Sequence, residues 1–248
     1  MRLAGKTAIV TGGASGFGAG IVRKFATEGA RVMIVDLNLD AAEALADELG
    51  ESVSAFQCNV AKSDEVARMT SAAIDRMGQI DILVNNAGIT HLPAPMEDIS
   101  EDDFDRVLAV NAKSVYLTAR HIVPHMKARK TGSILNVAST AGVSPRPRLS
   151  WYNASKGWMI TATRSMAVEL APEGIRVNAI NPVAGETPLL KSFMGEDTPE
   201  IRAKFLSTIP MGRFSTPDDM GNAACYLCSD EASMVTGVCM EVDGGRCI

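Results

Sequence analysis

The stretch Thr7-Ala8-Ile9-Val10-Thr11-Gly12-Gly13-Ala14-Ser15-Gly16-Phe17-Gly18 decides the fold. Thr7–Val10 reads as a short buried strand, a glycine-rich turn follows, and from about Gly16 to Glu28 the pattern becomes helical. Gly12, Gly16 and Gly18 keep a G-x-x-x-G-x-G spacing. Missing side chains permit a tight turn and let the backbone, with the positive end of a helix, come close to an anion. A strand, such a turn and a helix in that order open a doubly wound α/β sheet.

Outward from this point the same rhythm repeats. Strands are expected at Arg31–Asp36, Val53–Asn59, Asp81–Asn85, Ser133–Ser139, Arg176–Asn181 and Val238–Val242. Helical patterns fill the intervals: about Asp40–Leu49, Ser63–Met77 with a cap at Ser63-Asp64-Glu65, a long stretch from Glu101 to Lys127, Trp151–Leu170, and Asp218–Ser229. Strand–helix–strand units imply parallel strands covered on both faces, and the order 3-2-1-4-5-6-7 is the economical one. The whole chain, 1–248, reads as a single Rossmann-like domain of about seven strands. One segment breaks the rhythm, about 183–216, rich in Pro and Gly with one short helix near Thr198–Leu206. It leaves the carboxyl end of the sixth strand, where such sheets bind ligands, and reads as a substrate lid.

Composition excludes several alternatives. The 248 residues are 46% hydrophobic and carry a net charge of −5, which gives a polyanion no purchase, so no nucleic-acid partner is expected. No run of about 18 apolar residues exists to span a membrane, and Met1–Lys6 leads straight into a strand without a signal-peptide pattern. A cytoplasmic protein is expected. Five cysteines, an odd number, argue against a disulfide framework; Cys225 and Cys228 form a C-x-x-C inside a predicted helix and read as core-facing thiols. His121 and His125 have helical metal-ligand spacing, but no third ligand is apparent and Pro124 interrupts the stretch, so no metal is expected.

Asp36 ends the second strand, 18 residues beyond Gly18. A carboxylate there accepts hydrogen bonds from both ribose hydroxyls of an adenosine and repels a 2′-phosphate. No Arg or Lys stands at Ala14, Ser15, Leu37 or Asn38 to attract one, so NAD(H) is favoured over NADP(H). The plainer alternative is that Asp36 caps the following turn.

Tyr152-Asn153-Ala154-Ser155-Lys156 places a phenol and an ammonium at i and i+4, on one helix face. A neighbouring ammonium is expected to pull a tyrosine down from ~10 by roughly 1–3 units, making Tyr152 a usable proton donor to a carbonyl or acceptor from an alcohol. Alone, the spacing is common. It is joined here by Asn85-Asn86-Ala87-Gly88, by Asn111, by Ser139 lying 13 residues before Tyr152, by Pro210-Met211-Gly212-Arg213, Thr236-Gly237 and Val242-Asp243-Gly244-Gly245. Together these motifs resemble the short-chain dehydrogenase/reductase family over essentially the whole chain.

The resemblance implies an NAD-dependent oxidoreductase acting on a small secondary alcohol or ketone. Tyr152 would be the general acid/base; Lys156 would lower its pKa and bond the nicotinamide ribose. Ser139 would position the substrate oxygen, and Asn111 would hold a water extending the proton relay. Gly12, Ser15, Gly16, Phe17 and Gly18 would line the pyrophosphate, Asp36 and Leu37 the adenosine. Asn59 and Val60, with Asn86, Ala87 and Gly88, would wall the adenine side. Pro182, Gly185 and Thr187 would flank the nicotinamide. Two positions depart from the family pattern: Asn59-Val60 stands for its usual Asp-Val, and Val183 stands where a glycine is usual, adding bulk near the nicotinamide. The resemblance also implies a homotetramer built partly on the helices near 101–127 and 151–170, with Arg246-Cys247-Ile248 reaching a neighbouring subunit.

The substrate is less legible. Arg146 and Arg148 lie just before Tyr152 and either bind an anionic group or face solvent or a subunit interface. A polyol, sugar or hydroxy acid is the leading class, with Ser139, Arg148 and Tyr152 as its contacts. A 3-oxoacyl-[acyl-carrier-protein] reductase is the alternative, offering Lys127, Arg129 and Lys130 to an acidic carrier but opposed by Asp36 and Glu173. From another class, a non-catalytic NAD-binding sensor or scaffold remains, disfavoured because all four positions of the tetrad are filled.

Overall fold

The computed structural model describes all 248 residues. Seven parallel strands form one sheet in the order 3-2-1-4-5-6-7. They are β1 (Thr7–Thr11), β2 (Arg31–Asp36), β3 (Val53–Gln57), β4 (Ile82–Asn85), β5 (Gly132–Val137), β6 (Ile175–Pro182) and β7 (Cys239–Val242). The predicted order holds, and each predicted strand is found within two residues at either end.

Residues along each inner strand alternate between two apolar layers, because successive side chains point to opposite faces. Val10, Val32, Ile34, Val84, Leu135 and Ile180 face one layer with α1 (Gly16–Thr27), α2 (Leu39–Leu49) and α9 (Pro217–Cys228). Ile9, Met33, Val35, Leu83, Ile134 and Val177 face the other with α3 (Ser63–Met77), α5 (Ser114–Arg129) and α6 (Ser150–Leu170). Burial on both faces is why these strands read as continuous Val/Ile/Leu runs. In the first layer α1 and α9 touch backbone to backbone. A Cβ on Gly20 would lie 2.3 Å from the Pro217 carbonyl oxygen, and one on Gly221 would lie 2.8 Å from that of Gly20.

Several local expectations are corrected. The stretch from Glu101 is not one helix: α4 (Glu101–Leu108) passes through a π-helical turn, Ala109–Lys113, into α5. Pro124 does not interrupt α5, which runs through it to Arg129. Ser63 is not a cap but the first helical residue of α3; its hydroxyl meets His121 Nε2 at 3.1 Å. Glu65 reaches back instead, accepting from the Asn59 N–H at 2.7 Å. His125 Nε2 accepts from the Ile80 N–H at 3.2 Å. Cys225 and Cys228 are buried free thiols, as read; burial pushes Cys228 up to about 12. No helix is long and apolar enough to cross a membrane.

The 183–216 segment contains two helices where one was expected, α7 (Leu190–Met194) and α8 (Pro199–Leu206), the second capped by Thr198. It packs a small core of its own from Val183, Leu190, Met194, Ile209 and Phe214. Val183 thus helps to seal this segment while also lining the cleft below it.

Candidate active site

A cleft of about 440 Å³ runs along the carboxyl ends of the strands. Its first half lies at the crevice between β1 and β4, where the strand order reverses. Two turns meet there. Asn86 Nδ2 donates to the carbonyls of Thr11 and Gly12 at 2.9 and 2.8 Å, while Thr11 Oγ1 accepts from the N–H groups of Asn86 and Ala87, both at 3.1 Å. Gly12, at φ +60°, sits so close that a Cβ would lie 2.8 Å from Ala87 Cα; on Gly18 it would lie 2.1 Å from the Gly12 oxygen. Any other residue at either position would push the two turns apart. Ser15 precedes α1 in extended conformation and makes no side-chain capping bond, which leaves the first-turn N–H groups to an anion.

Asp36 faces this turn. Its two oxygens accept one backbone N–H each, from Ala14 and Asn38, both at 3.1 Å. It does fix the following turn, but each oxygen keeps a lone pair for a ribose hydroxyl. Leu37, Asn59 and Val60 complete the adenosine end of the lining, and Asn59 Oδ1 is held by the Ala61 N–H at 3.0 Å. On the opposite wall Pro182, Gly185 and Thr187 line the middle of the cleft, and Phe17 packs so tightly on Gly185 that a Cβ there would lie 2.3 Å from its ring. A glycine cradle, free helix N–H groups and a carboxylate for paired hydroxyls fit a dinucleotide whose ribose lacks a 2′-phosphate.

The second half is set by β5 and α6. Ser139 leaves β5 extended and accepts from the Ala141 N–H at 3.1 Å. Tyr152 and Lys156 both line the cleft and are 5% and 4% exposed. Lys156 Nζ donates to the Val137 carbonyl at 2.8 Å and lies 5.9 Å from the Tyr152 ring centroid. Two of its three donors are left for acceptors within the cleft. Phe193 of α7 closes over Tyr152, ring centroids 5.0 Å apart at 64°.

The expected acidic phenol is corrected here. Burial pushes Tyr152 up to about 12, with a hydrogen bond to Ser139 pulling the other way. Burial brings Lys156 down to about 8. Lys156 Nζ is tied to a backbone carbonyl, and desolvation of the phenolate dominates at Tyr152. Asn111 is anchored in the protein. It is fully buried in the π-helical turn, and its side chain is spent on protein: Nδ2 donates to Ile89 O and Ser155 Oγ, and Oδ1 accepts from the Ile89 N–H, all at 2.9 Å. Ser155, unnoticed in the sequence, passes the constraint on by donating to the Tyr152 carbonyl at 2.7 Å.

Arg148 is not a cleft residue. It is exposed, at φ +65°, and its guanidinium reaches the Pro93 carbonyl at 3.5 Å on the outside. Arg146 lines the cleft instead, its guanidinium 4.2 Å from the Phe205 ring centroid. Arg246 donates to Ser144 Oγ of its own chain at 3.2 Å. The polar chain Thr118–Asn85–Asn136–Thr163, linked at 2.9 Å throughout, ties β4 and β5 to α5 and α6 beneath the site; its members come from four separate elements, so no local pattern marks it.

Comparison with known proteins agrees with this geometry. A family profile described as Enoyl-(Acyl carrier protein) reductase matches residues 12–246. A 4-formylbenzenesulfonate dehydrogenase of Comamonas testosteroni is 49% identical, covering 99% of each chain. A D-threitol dehydrogenase of Mycolicibacterium smegmatis is 39% identical over 100% of this chain and 95% of its own. Among solved structures, a 3-ketoacyl-(acyl-carrier-protein) reductase from Brucella melitensis complexed with NADH superposes with a TM-score of 0.95, at 48% identity over 99% of this chain and 100% of that one.

Proposed function

Because this chain belongs to the short-chain dehydrogenase/reductase family and is an NAD-dependent oxidoreductase of alcohol and carbonyl groups, we propose that Tyr152, Ser139 and Lys156 carry its proton chemistry on a small secondary alcohol or ketone. One observation carries the reading: Tyr152, Ser139 and Lys156 line the same cleft as Asp36 and the glycine-rich turn.

Bound NAD(H) supplies the hydride acceptor or donor. In oxidation Tyr152, as phenolate, takes the hydroxyl proton; in reduction, as phenol, it gives that proton to the carbonyl oxygen. Ser139 donates to the same oxygen as charge develops on it. Lys156 lends positive charge to the phenolate and offers its spare N–H groups to ribose hydroxyls. Asn111 is a positioning residue, acting through Ser155 and the 89 backbone. Gly12, Ser15, Gly16, Phe17 and Gly18 cradle the pyrophosphate; Asp36, Leu37, Asn59, Val60, Asn86, Ala87 and Gly88 hold the adenosine; Pro182, Gly185 and Thr187 flank the nicotinamide. Residues 183–216 act as the substrate lid, which brings Phe193 onto Tyr152.

The substrate class is a polyol, sugar or hydroxy acid; the D-threitol relative supports the first of these. Similarity to the Brucella reductase favours one second reading, reduction of 3-oxoacyl groups on an acidic carrier. Against it, the expected basic patch is largely neutralised: Arg129 pairs with Asp81 at 2.8 Å and Lys130 pairs with Glu173, leaving Lys127. A homotetramer is part of the same proposal, supported by Tyr116, Trp158 and Val168, which are 52%, 43% and 80% exposed on α5 and α6. Sizing chromatography that returned a monomer would reject it.

The deciding experiment scores polyols, hydroxy acids and 3-oxoacyl thioesters with NAD(H) and NADP(H), on the native enzyme and Tyr152→Phe. NAD-linked turnover of a small alcohol that Tyr152→Phe abolishes is expected. Turnover confined to thioesters selects the second reading. A biological role that survives Tyr152→Phe points to a non-catalytic NAD-binding protein.

A further inference from the structure

Arg146 lines the cleft, and Arg246 lies behind it, reaching the same segment through Ser144; neither has a carboxylate partner. Neither takes part in any ion pair, whereas the other arginines near the lid do: Arg202 with Asp197 and Glu186, Arg213 with Asp219. Arg146 is half-buried in the lining, packed on Phe205, with only a 3.5 Å contact to Thr208 Oγ1 for its Nη2. Arg246 comes from the far end of the sequence. Its Nη1 reaches Ser144, two residues from Arg146, and its buried Nε has no partner. The nearest acid in its own turn, Asp243, spends its oxygens on the N–H groups of Gly245 and Cys247, at 2.9 and 2.8 Å. The two guanidinium charges feel each other: burial first, and then Arg246, bring Arg146 down to about 10. Two cations brought together in a partly dry site without a counter-charge are unfavourable unless an anion joins them.

The wall between Tyr152 and Arg146 is apolar. Leu149, Val183, Leu189, Phe193 and Phe205 line it. Asn153 fixes its geometry from α6, one residue past Tyr152, by donating Nδ2 to the Arg146 carbonyl at 2.7 Å.

From this arrangement we infer that Arg146, backed by Arg246, is an anion-binding subsite, and that the alcohol or carbonyl substrate bears a carboxylate or sulfonate on an apolar, ring-sized body. The inference rests on the NAD-linked reading above and selects the anionic class within it. The reacting oxygen lies at Tyr152 and Ser139, the apolar body against Phe193 and Leu149, and the anion at the Arg146 fork, which matches planar carboxylate geometry.

The test compares 4-(1-hydroxyethyl)benzoate with its neutral isostere 4-(1-hydroxyethyl)benzamide, both secondary alcohols, using NAD-saturated enzyme. The benzoate is expected to be favoured in kcat/KM by about 30-fold, as one charge-assisted pair allows. Arg146→Gln should collapse that ratio towards one, and Arg246→Gln should lower it by about 3-fold. NAD binding and thermal melting of both variants show whether they fold. A native ratio near one, or a ratio unmoved by Arg146→Gln, overturns the inference while leaving the dehydrogenase reading intact. If neither alcohol is oxidised, calorimetric titration of benzenesulfonate into the NAD complex decides instead. Binding that weakens by about 30-fold in Arg146→Gln supports the subsite, and no binding in the native enzyme overturns it.

Discussion

The two halves of the cleft are built on different principles. The half at β1, β2 and β4 is backbone clamped to backbone: Asn86 and Thr11 wire two turns together, and glycines sit where no Cβ fits. The half beyond β5 is made of side chains, many carried on the 140–149 and 183–216 segments, where Phe193 packs on Tyr152 and Arg146 on Phe205 across sequence distances the motif does not record. A ligand common to many enzymes is met by invariable geometry; a ligand particular to one is met by interchangeable side chains on loops.

The sharpest way to break that division is at its seam. Tyr152→Phe removes the proton carrier and is expected to cut kcat by about 10³-fold while leaving NAD affinity, measured by fluorescence titration, within about 3-fold. Next comes Asp36→Asn on the cofactor side. It should lower the NAD-over-NADP preference in kcat/KM by about 30-fold without altering preference among alcohols. If alcohol selectivity shifted in parallel, the halves would not be separable.

On the substrate side, Phe193→Ala should raise KM for the alcohol by about 10-fold and leave KM for NAD unchanged, because the ring packs on Tyr152 and its neighbours Ala141 and Leu149. The pH profile sharpens the same point. With burial holding Tyr152 at about 12, the fraction of phenolate grows tenfold per unit throughout the accessible range, so kcat/KM for oxidation should climb through pH 9 while reduction does not gain. Lys156→Met removes the ammonium that favours phenolate and should lower kcat/KM for oxidation most below about pH 8, where the native amine still carries its charge.

The smallest effect lies at the opposite end of the sheet. Burial raises the Asp81 carboxyl, but Arg129 and the N–H and hydroxyl of Thr7 outweigh it and hold it below its ordinary range. Such a group stabilises fully above the unfolded carboxylate range and loses its contribution as pH falls from there through its lower folded value. Asp81→Asn should therefore cost about 2 kcal/mol at neutral pH, by urea denaturation, a difference that closes below pH ~4. Neither half of the cleft should notice.

Legibility followed the same division. Strand order, the glycine turn and Asp36 were readable because each rests on local periodicity or on one residue type that alone fits. The four tetrad positions were readable as motifs, yet their state was not. Whether Lys156 acidifies Tyr152 depends on where Nζ ends up, and it ends on Val137. Arg148 was preferred to Arg146 although the two are equivalent in sequence. In the fold Arg148 sits at positive φ and is exposed, while Arg146 lines the cleft. Arg246 lies a hundred residues away, so nothing local marks it.

The backbone contact between α1 and α9 sets a timetable for the newborn chain. The helix that opens on the glycine-rich turn finishes early in synthesis, but its packing partner begins about 190 residues later. At ~5–20 residues per second the ribosome needs ~10–40 s to supply it. Throughout that interval the Gly20 face has nothing to lean on, so the first motif to be translated is among the last to be finished.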